Sequence, residues 1–256
     1  MPKNQGQTVP YSVSQNFLTS QKTISGLLTR TNLSPADTVL EIGAGKGHIT
    51  RALSRCCGQV ISYEIDPQLF HRLVGTTNKN VRLICGDFLK APLPKTPYKV
   101  FANIPFSCTT AILRKLTAAP NPPLAAWLVV EWGAAKRFCG HPRETQSSLL
   151  LRPFFQTRIL CTIPRAQFHP SPRVDAALLE LRCSPCPDLP LAQRREFAAF
   201  AAHCQKYGFS HPRSLLTRRQ VAVALRQANL PPIERSGNTL YVQWLCLFRY
   251  WRQFIK

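Results

Sequence analysis

The sequence predicts an α/β fold in which a parallel, seven-stranded sheet is covered by helices on both faces and followed by a small all-helical C-terminal domain. Three observations support this prediction. Short apolar runs alternate with helical patterns through the first two thirds of the chain, a glycine-rich turn follows the first such run, and the residues after Pro190 carry helical patterns only. With 256 residues and 45% hydrophobic content, the chain can bury one large core and a smaller one.

Seven short apolar runs have the length of buried strands. Between them, the segments Ile24–Leu28 and Thr110–Leu116 place apolar side chains at three- and four-residue spacing, which is typical of amphipathic helices. The candidate strands are Thr38–Ile42, Gln59–Tyr63, Val81–Cys85, Val100–Ala102, Trp127–Val130, Ile159–Thr162 and Ala176–Leu181.

A change of composition marks the predicted domain boundary. Three prolines lie between Ser184 and Pro190, and proline interrupts both helices and central strands. We therefore expect one domain at residues 1–183 and a second at residues 184–256. The aromatic residues of the last helix are expected to form core rather than to stack on bases. The candidate helices of the second domain are Leu191–Lys206, Val221–Ala228 and Leu240–Phe254.

The charge of the chain indicates a polyanionic partner. Lys and Arg number 33 against 12 Asp and Glu, which gives a formal net charge of +21, and the excess is present on both sides of the predicted boundary. A basic surface that binds nothing is the alternative interpretation. If the lysines and arginines do contact nucleic acid, affinity should fall steeply as the salt concentration rises.

Ten cysteines are scattered through hydrophobic segments of a chain too large to need disulfides, so we expect reduced thiols. The pairs to consider are Cys56–Cys57 and Cys183–Cys186, because a two-residue spacing such as that of Cys183 and Cys186 is shared by zinc and redox sites. A zinc site needs a second pair at similar spacing, and no metal is expected. The segment Met1–Gln7 is polar, and no run of the chain is long enough to span a membrane, so neither a secretory signal nor a membrane contact is expected.

The strongest local signal is the glycine-rich turn after the first candidate strand, with Gly43, Gly45 and Gly47 ahead of a helical pattern. Glycines at this place let the backbone approach a ligand where a Cβ atom would collide. The third glycine comes one residue too early for the dinucleotide fingerprint, and the spacing does not match a phosphate-binding loop. The turn therefore fits a nucleoside-type cofactor such as S-adenosylmethionine. A plain tight turn is the competing interpretation.

Two carboxylates follow the next two strands. Glu64 stands where a carboxylate can accept hydrogen bonds from both ribose hydroxyls of an adenosine group. We choose it over Asp66, because Asp66 precedes Pro67 and is expected to cap a helix. Asp87, after Gly86 and before Phe88, could read the amino group of the cofactor's adenine, with the phenylalanine covering the ring. An ordinary turn is the alternative there.

The most specific element is Asn103-Ile104-Pro105-Phe106, at the end of the fourth strand. An adenine amino group is a weak nucleophile, and its methylation requires acceptors for its protons. The Asn103 side-chain oxygen and the Ile104 carbonyl can accept, Pro105 stiffens the turn, and Phe106 can stack on an extruded base. Positioning is the principal task here, so no metal or strong base is needed. A purely structural turn is the alternative.

At these residues the chain resembles the ribosomal RNA adenine-N6 methyltransferases, and within them the Erm group. The resemblance runs over nearly the whole chain, and six motifs occur in order. Besides the glycine turn, Glu64, Gly86–Asp87 and Asn103–Phe106, they include Ser14–Leu18, which is similar to the family's N-terminal cofactor motif, and Phe168–Asp175, which is similar to the F-x-P-x-P-x-V-D segment. The tail from Ser184 onward matches least.

The resemblance implies a class I, Rossmann-like methyltransferase domain at residues 1–183 and a helical RNA-binding, target-selection domain at 184–256. It implies S-adenosylmethionine as cofactor and 23S ribosomal RNA as substrate, with macrolide, lincosamide and streptogramin B resistance as the outcome, in a cytoplasmic protein that we expect to be a monomer. The implied catalytic residues are Asn103, Ile104, Pro105 and Phe106, and the implied cofactor-binding residues are Asn16, Leu18, Gly43, Gly45, Glu64, Asp87 and Asn103.

Three alternatives stay open. The dimethyladenosine transferases of small-subunit ribosome maturation share all these motifs, although the run Gly45-Lys46-Gly47-His48 and the short C-terminal domain favour the Erm group. A non-catalytic RNA-binding assembly factor on the same scaffold would keep the motifs without turnover. A nicotinamide-dependent oxidoreductase would share the sheet and the Glu64 contact, but the glycine spacing opposes it. One or two methyl groups could be added.

Overall fold

The computed structural model describes residues 16–209, 211–234 and 238–254, which fall into two compact units. The first unit comprises the described residues up to Trp132 together with Ile159–Arg182. The second comprises Gly133–Arg158 and the described residues from Cys183 onward. The sequence places its boundary next to Cys183, and the structure adds the segment Gly133–Arg158 to the second unit.

All seven candidate strands are present and form one sheet in the order β4-β3-β2-β5-β6-β9-β7. Phe17–Leu18 (β1) and Phe168–His169 (β8) form a separate two-stranded antiparallel sheet. The strands of the large sheet are β2 (Thr38–Ile42), β3 (Gln59–Glu64), β4 (Val81–Cys85), β5 (Lys99–Asn103), β6 (Ala125–Glu131), β7 (Phe155–Ile163) and β9 (Ala176–Cys183).

Among the described residues, a helix lies between most successive strands of the first unit, but not between β4 and β5, and the last three helices follow β9. The described helices are α1 (Gln21–Leu28), α2 (His48–Cys56), α3 (Pro67–Leu73), α4 (Thr109–Ala118), α5 (Trp132–Phe138), α6 (Gln146–Leu151), α7 (Arg194–Tyr207), α8 (Arg218–Gln227) and α9 (Tyr241–Phe254).

The central strands of the sheet are buried on both faces. Val39, Leu40, Val100 and Leu128 are fully buried, which is why these strands read as continuous apolar runs rather than as alternating ones. The β2, β3, β4, β5 and β6 strands run parallel, so their carboxyl ends meet at one edge of the sheet. Ligands of open α/β sheets bind outside that edge.

The prediction of an entirely parallel sheet is wrong for β9, which pairs antiparallel with β6. Strand hydrophobicity predicts burial, and residues 176–181 of β9 are indeed buried. The hydrophobicity of a strand does not indicate whether it runs parallel or antiparallel to its neighbours. A short connection through Phe168–Asp175 cannot form the helical crossover that a parallel neighbour requires, so the strand enters the sheet from the opposite end.

In the second unit, Trp244 and Phe248 of α9 are buried core residues, Trp251 is half-buried against them, and Phe254 is exposed. Phe248 packs edge-on against Phe197, at 5.1 Å between ring centres, and against Phe200 at 5.6 Å. Trp251 lies 5.4 Å from the Phe200 ring, and Arg252 pairs with Glu196 at 3.0 Å. The closing aromatic and basic residues of the chain therefore hold α9 against α7.

Among the described residues, the helices are too short or too polar to cross a membrane.

Candidate cofactor and catalytic site

The glycine-rich turn links the end of β2 to the start of α2. Gly43, Gly45 and Gly47 have φ angles of 82°, 55° and 76°, in the left-handed region that favours glycine. The Gly43 and Ala44 amides both donate to the Tyr63 carbonyl, at 2.8 and 3.1 Å, so the turn is fastened to the end of β3. The turn therefore presents bare backbone at the carboxyl edge of the sheet.

Glu64 is the last residue of β3 and is only 3% exposed. Its Oε2 accepts from the Gly45 amide at 2.6 Å, and its Oε1 accepts from the Asp66 amide at 2.9 Å. The carboxylate is thus held by two backbone donors, and each oxygen keeps a lone pair for another hydrogen bond. Asp66 accepts from the Gln68 amide and caps α3, which confirms the reason for choosing Glu64.

Asn103 ends β5, next to the glycine turn. Its side-chain nitrogen donates to the Asn16 carbonyl at 2.7 Å. Because a carbonyl can only accept, this contact fixes which end of the amide is nitrogen and leaves the side-chain oxygen on the other side. Ile104 is buried, and Pro105 and Phe106 are partly exposed, with Phe106 opening the short helical turn that leads into α4. Asn103 thus offers an acceptor at the sheet edge.

The segment that carries Asn16 covers the glycine turn. Through β1, Leu18 pairs with Phe168 and Phe17 pairs with His169. A Cβ atom added at Gly45 would lie 2.8 Å from the Phe17 ring, and Lys46 Nζ lies 5.1 Å from the centre of that ring. The two family-like segments at 14–18 and 168–175 therefore meet above the turn, although Ser14 and Gln15 lie outside the described residues.

One cavity collects most of the residues that the sequence singles out. Asp87 is not among its lining residues: Asp87 Oδ1 accepts from the Leu89 amide at 2.8 Å, and the Phe88 ring is 5% exposed and packs edge-on against Tyr63. Sequence reasoning missed Phe17, Lys46, His48, Ile49 and Ile65 as lining residues. The expected residues that do line the cavity are Asn16, Leu18, Gly43, Gly45, Glu64, Asn103, Ile104, Pro105 and Phe106.

A second carboxyl, Glu41, is buried beneath the glycine turn. Its Oε2 accepts from the hydroxyls of Thr50 at 2.7 Å and Ser62 at 2.6 Å, and its Oε1 is buried without a hydrogen-bond partner. Burial raises the pKa of Glu41 to about 7, and the nearby charge of Glu64 adds to the increase. The hydrogen bonds from the two hydroxyls oppose it, because they favour the ionised carboxylate. In the sequence, Glu41 belongs to the strand and turn that resemble the family, and no separate role was predicted for it.

These residues fit S-adenosylmethionine. The glycine turn gives the close approach that a nucleoside needs, Glu64 offers two anchored oxygens to ribose hydroxyls, and the Asn103 oxygen stands at the same edge. Within the described residues, no group of three or more histidine, cysteine or acidic side chains is arranged to hold a metal ion, and the ten cysteines are free.

Replacing Gly45 with alanine should weaken cofactor binding on the order of tenfold, because left-handed backbone costs an L-residue about 1–2 kcal/mol and the new Cβ atom displaces Phe17. Calorimetric titration with S-adenosylmethionine measures this. The matched control is Gly26→Ala in α1, where no atom lies within 4 Å of the added Cβ atom. This control should raise stability by about 0.5–1 kcal/mol and leave binding unchanged. Equal binding by both variants would contradict the assignment of the turn.

Comparison with known proteins agrees with this geometry. A model of the ribosomal RNA adenine dimethylase family matches residues 7–205. The chain is 34% identical over 247 residues to an rRNA adenine N-6-methyltransferase of Lysinibacillus sphaericus. The alignment covers 94% of this chain and 96% of the relative. The chain is 33% identical over 244 residues to an rRNA adenine N-6-methyltransferase of Escherichia coli, with the same two coverages.

Solved structures show the same fold. The 23S rRNA methyltransferase ErmE matches with a TM-score of 0.77 at 30% identity, over 93% of this chain and 100% of that one. A dimethyladenosine transferase from Plasmodium falciparum matches with a TM-score of 0.70 at 19% identity, over 90% of this chain and 95% of that one, and this similarity concerns the fold. The seven-stranded sheet is thus of the Rossmann-like methyltransferase type.

Proposed function

Because this chain belongs to the ribosomal RNA adenine dimethylase family, we propose that it methylates N6 of one adenine in 23S ribosomal RNA and so confers macrolide, lincosamide and streptogramin B resistance. It is an S-adenosylmethionine-dependent rRNA adenine methyltransferase. The 23S substrate is supported by the match to ErmE, a 23S rRNA methyltransferase that aligns over its whole length. We place the enzyme in the cytoplasm as a monomer.

The observation that carries the catalytic proposal is the anchored amide of Asn103. When bound, S-adenosylmethionine supplies a methyl group activated by its sulfonium. The Asn103 oxygen and the Ile104 carbonyl accept hydrogen bonds from the target amino group and orient its lone pair, while the Phe106 ring stacks on the base. Glu64 and the turn at Gly45 hold the cofactor's ribose side. Catalysis then depends on positioning rather than on a strong base.

The experiment that tests the substrate is transfer of labelled methyl to protein-free large-subunit and small-subunit ribosomal RNAs in parallel, followed by mapping of the modified base. Label on N6 of one large-subunit adenine, together with macrolide resistance in a host that expresses the gene, is the expected result. Label confined to the small subunit would replace this proposal with ribosome maturation. Cofactor binding without label in either RNA would favour a non-catalytic assembly factor.

We also propose that residues 184–256, within the second unit, bind the RNA around the target. On this part of the chain, His203 and Tyr207 lie 4.7 Å apart between ring centres, and Tyr207 stacks on His211 at 5.7 Å. A cavity beside them is lined by Tyr207, His211, Arg218 and Arg226, and both arginines are exposed. Aromatic faces next to arginines suit unpaired bases and their phosphates.

Reversing Arg218 and Arg226 together to glutamate should weaken rRNA binding on the order of tenfold and reduce the salt dependence of affinity, because two phosphate contacts are lost. Filter binding over a salt series measures both. The matched control reverses Arg55 and Lys79, which are exposed near the amino ends of β3 and β4, at the edge opposite to the site. An equal loss of rRNA affinity in both double variants would mean that affinity depends on the net charge of the protein and not on Arg218 and Arg226 in particular.

A further inference from the structure

The loop that follows β4 is organised around one lysine side chain. Lys115 Nζ, on α4, donates to the carbonyl of Phe88 at 2.6 Å, to that of Leu89 at 3.0 Å and to that of Ala91. An ammonium group has three N–H donors, so the loop takes all of them. The same nitrogen lies 4.8 Å from the centre of the Phe88 ring, within the range of a cation–π contact.

This arrangement is unusual for lysine, which normally keeps its ammonium group in water. Burial lowers the pKa of Lys115, although the Asp87 carboxylate acts to raise it. Fixing the long lysine side chain in one conformation also costs rotational entropy. Three converging carbonyl oxygens would lose their common donor if the ammonium were absent. The loop conformation therefore depends on Lys115 in addition to the loop's own hydrogen bonds, such as the one from the Leu89 amide to Asp87 Oδ1.

The same loop adjoins the cofactor site. Gly86 donates its amide to the Glu64 carbonyl at 2.8 Å, and Glu64 lines the cavity. Asp87 comes next, and its Oδ1 accepts from the Leu89 amide while Oδ2 is left for another donor. Lys115 sits on the helix that begins directly after the turn at Phe106. One side chain thus connects the loop of Asp87 to the helix behind the catalytic motif.

We propose that Lys115 is a positioning residue that holds the loop so that Asp87 reads the exocyclic amino group of the cofactor's adenine. The proposal rests on the assignment of Asp87 to that subsite. Hypoxanthine carries an oxygen where adenine carries this amino group, and a carboxylate cannot donate to it. An enzyme without the Lys115 contacts should therefore lose much of its preference for adenine over hypoxanthine.

The test is calorimetric binding of S-adenosylhomocysteine and S-inosylhomocysteine, which needs no RNA and no turnover. The unaltered enzyme should prefer the adenine compound by at least about tenfold, the factor that one hydrogen bond to a charged group supplies. Lys115→Met should lose most of this preference, and Lys115→Arg should retain most of it, since guanidinium also donates to several carbonyls. The matched control is Arg114→Met, the exposed neighbour on the same helix, with the preference unchanged.

The outcomes separate this proposal from the one it rests on. Full adenine preference in Asp87→Ala would overturn the assignment of Asp87 itself. Loss of preference in Asp87→Ala with full preference in Lys115→Met would overturn the role of Lys115 and leave the cofactor site intact. Equal weakening of both compounds by Lys115→Met would reduce the lysine to a structural contact and would also overturn the proposal.

Discussion

Replacing Asn103 with alanine is expected to lower kcat on ribosomal RNA by about 100- to 1,000-fold, the usual cost of deleting one preorganised polar contact of a transition state. The amide nitrogen is already held by the Asn16 carbonyl at 2.7 Å, so the oxygen is oriented before any substrate arrives. This preorganisation acts on the amino group as it becomes the nucleophile. Affinity for S-adenosylmethionine should fall by no more than about tenfold, as for the loss of one neutral hydrogen bond.

Single-turnover methylation and calorimetric cofactor binding, measured on the same preparation, separate these two effects. Asn103→Asp keeps an acceptor but loses the donor to Asn16, so it should retain more activity than Asn103→Ala if accepting is the main role. Asn32→Ala, at an exposed asparagine, serves as the control and should behave like the unaltered enzyme. Full activity of Asn103→Ala with intact cofactor binding would refute the catalytic assignment.

The sequence predicted those parts of the fold that depend on local patterns. All seven strands fall where apolar runs were found. The central strands among them are continuously apolar because both of their faces are buried. Asp66 before Pro67 was correctly predicted as a helix cap, since its role is decided within three residues. The glycine turn was likewise readable, because only glycine adopts three left-handed angles in so short a span at little cost.

Contacts between distant parts of the chain were not readable. Phe17 covers the turn only because β1 pairs with β8, about 150 residues later. Lys115, on α4, donates to carbonyls of the loop that follows β4, and the residues next to Lys115 in the sequence do not predict that contact. The antiparallel direction of β9 is also decided by the path of its connection. Such features depend on which elements become neighbours, and periodicity does not encode that.

Glu41 should give the cofactor-free protein a stability that falls as pH rises. Its pKa is about 7 in the folded protein against an ordinary value of 4.5, so between these values the unfolded chain loses a proton that the folded chain retains. The contribution is fully present below about pH 4.5 and is lost by about pH 7. It amounts to about 3 kcal/mol at 1.36 kcal/mol per pH unit.

Glu41→Gln removes this titration while keeping an oxygen for the Thr50 and Ser62 hydroxyls. Urea unfolding at a series of pH values from 4.5 to 8 should therefore show a slope in the unaltered protein that the variant lacks, with the variant more stable at pH 8. Thr50→Val provides an independent check. It removes a hydroxyl that favours the ionised carboxylate, so the pKa of Glu41 should rise and the pH window should extend upward. Parallel stability curves for the unaltered protein and Glu41→Gln would show that the carboxyl ionises normally, with its burial compensated by the polar groups beneath the turn.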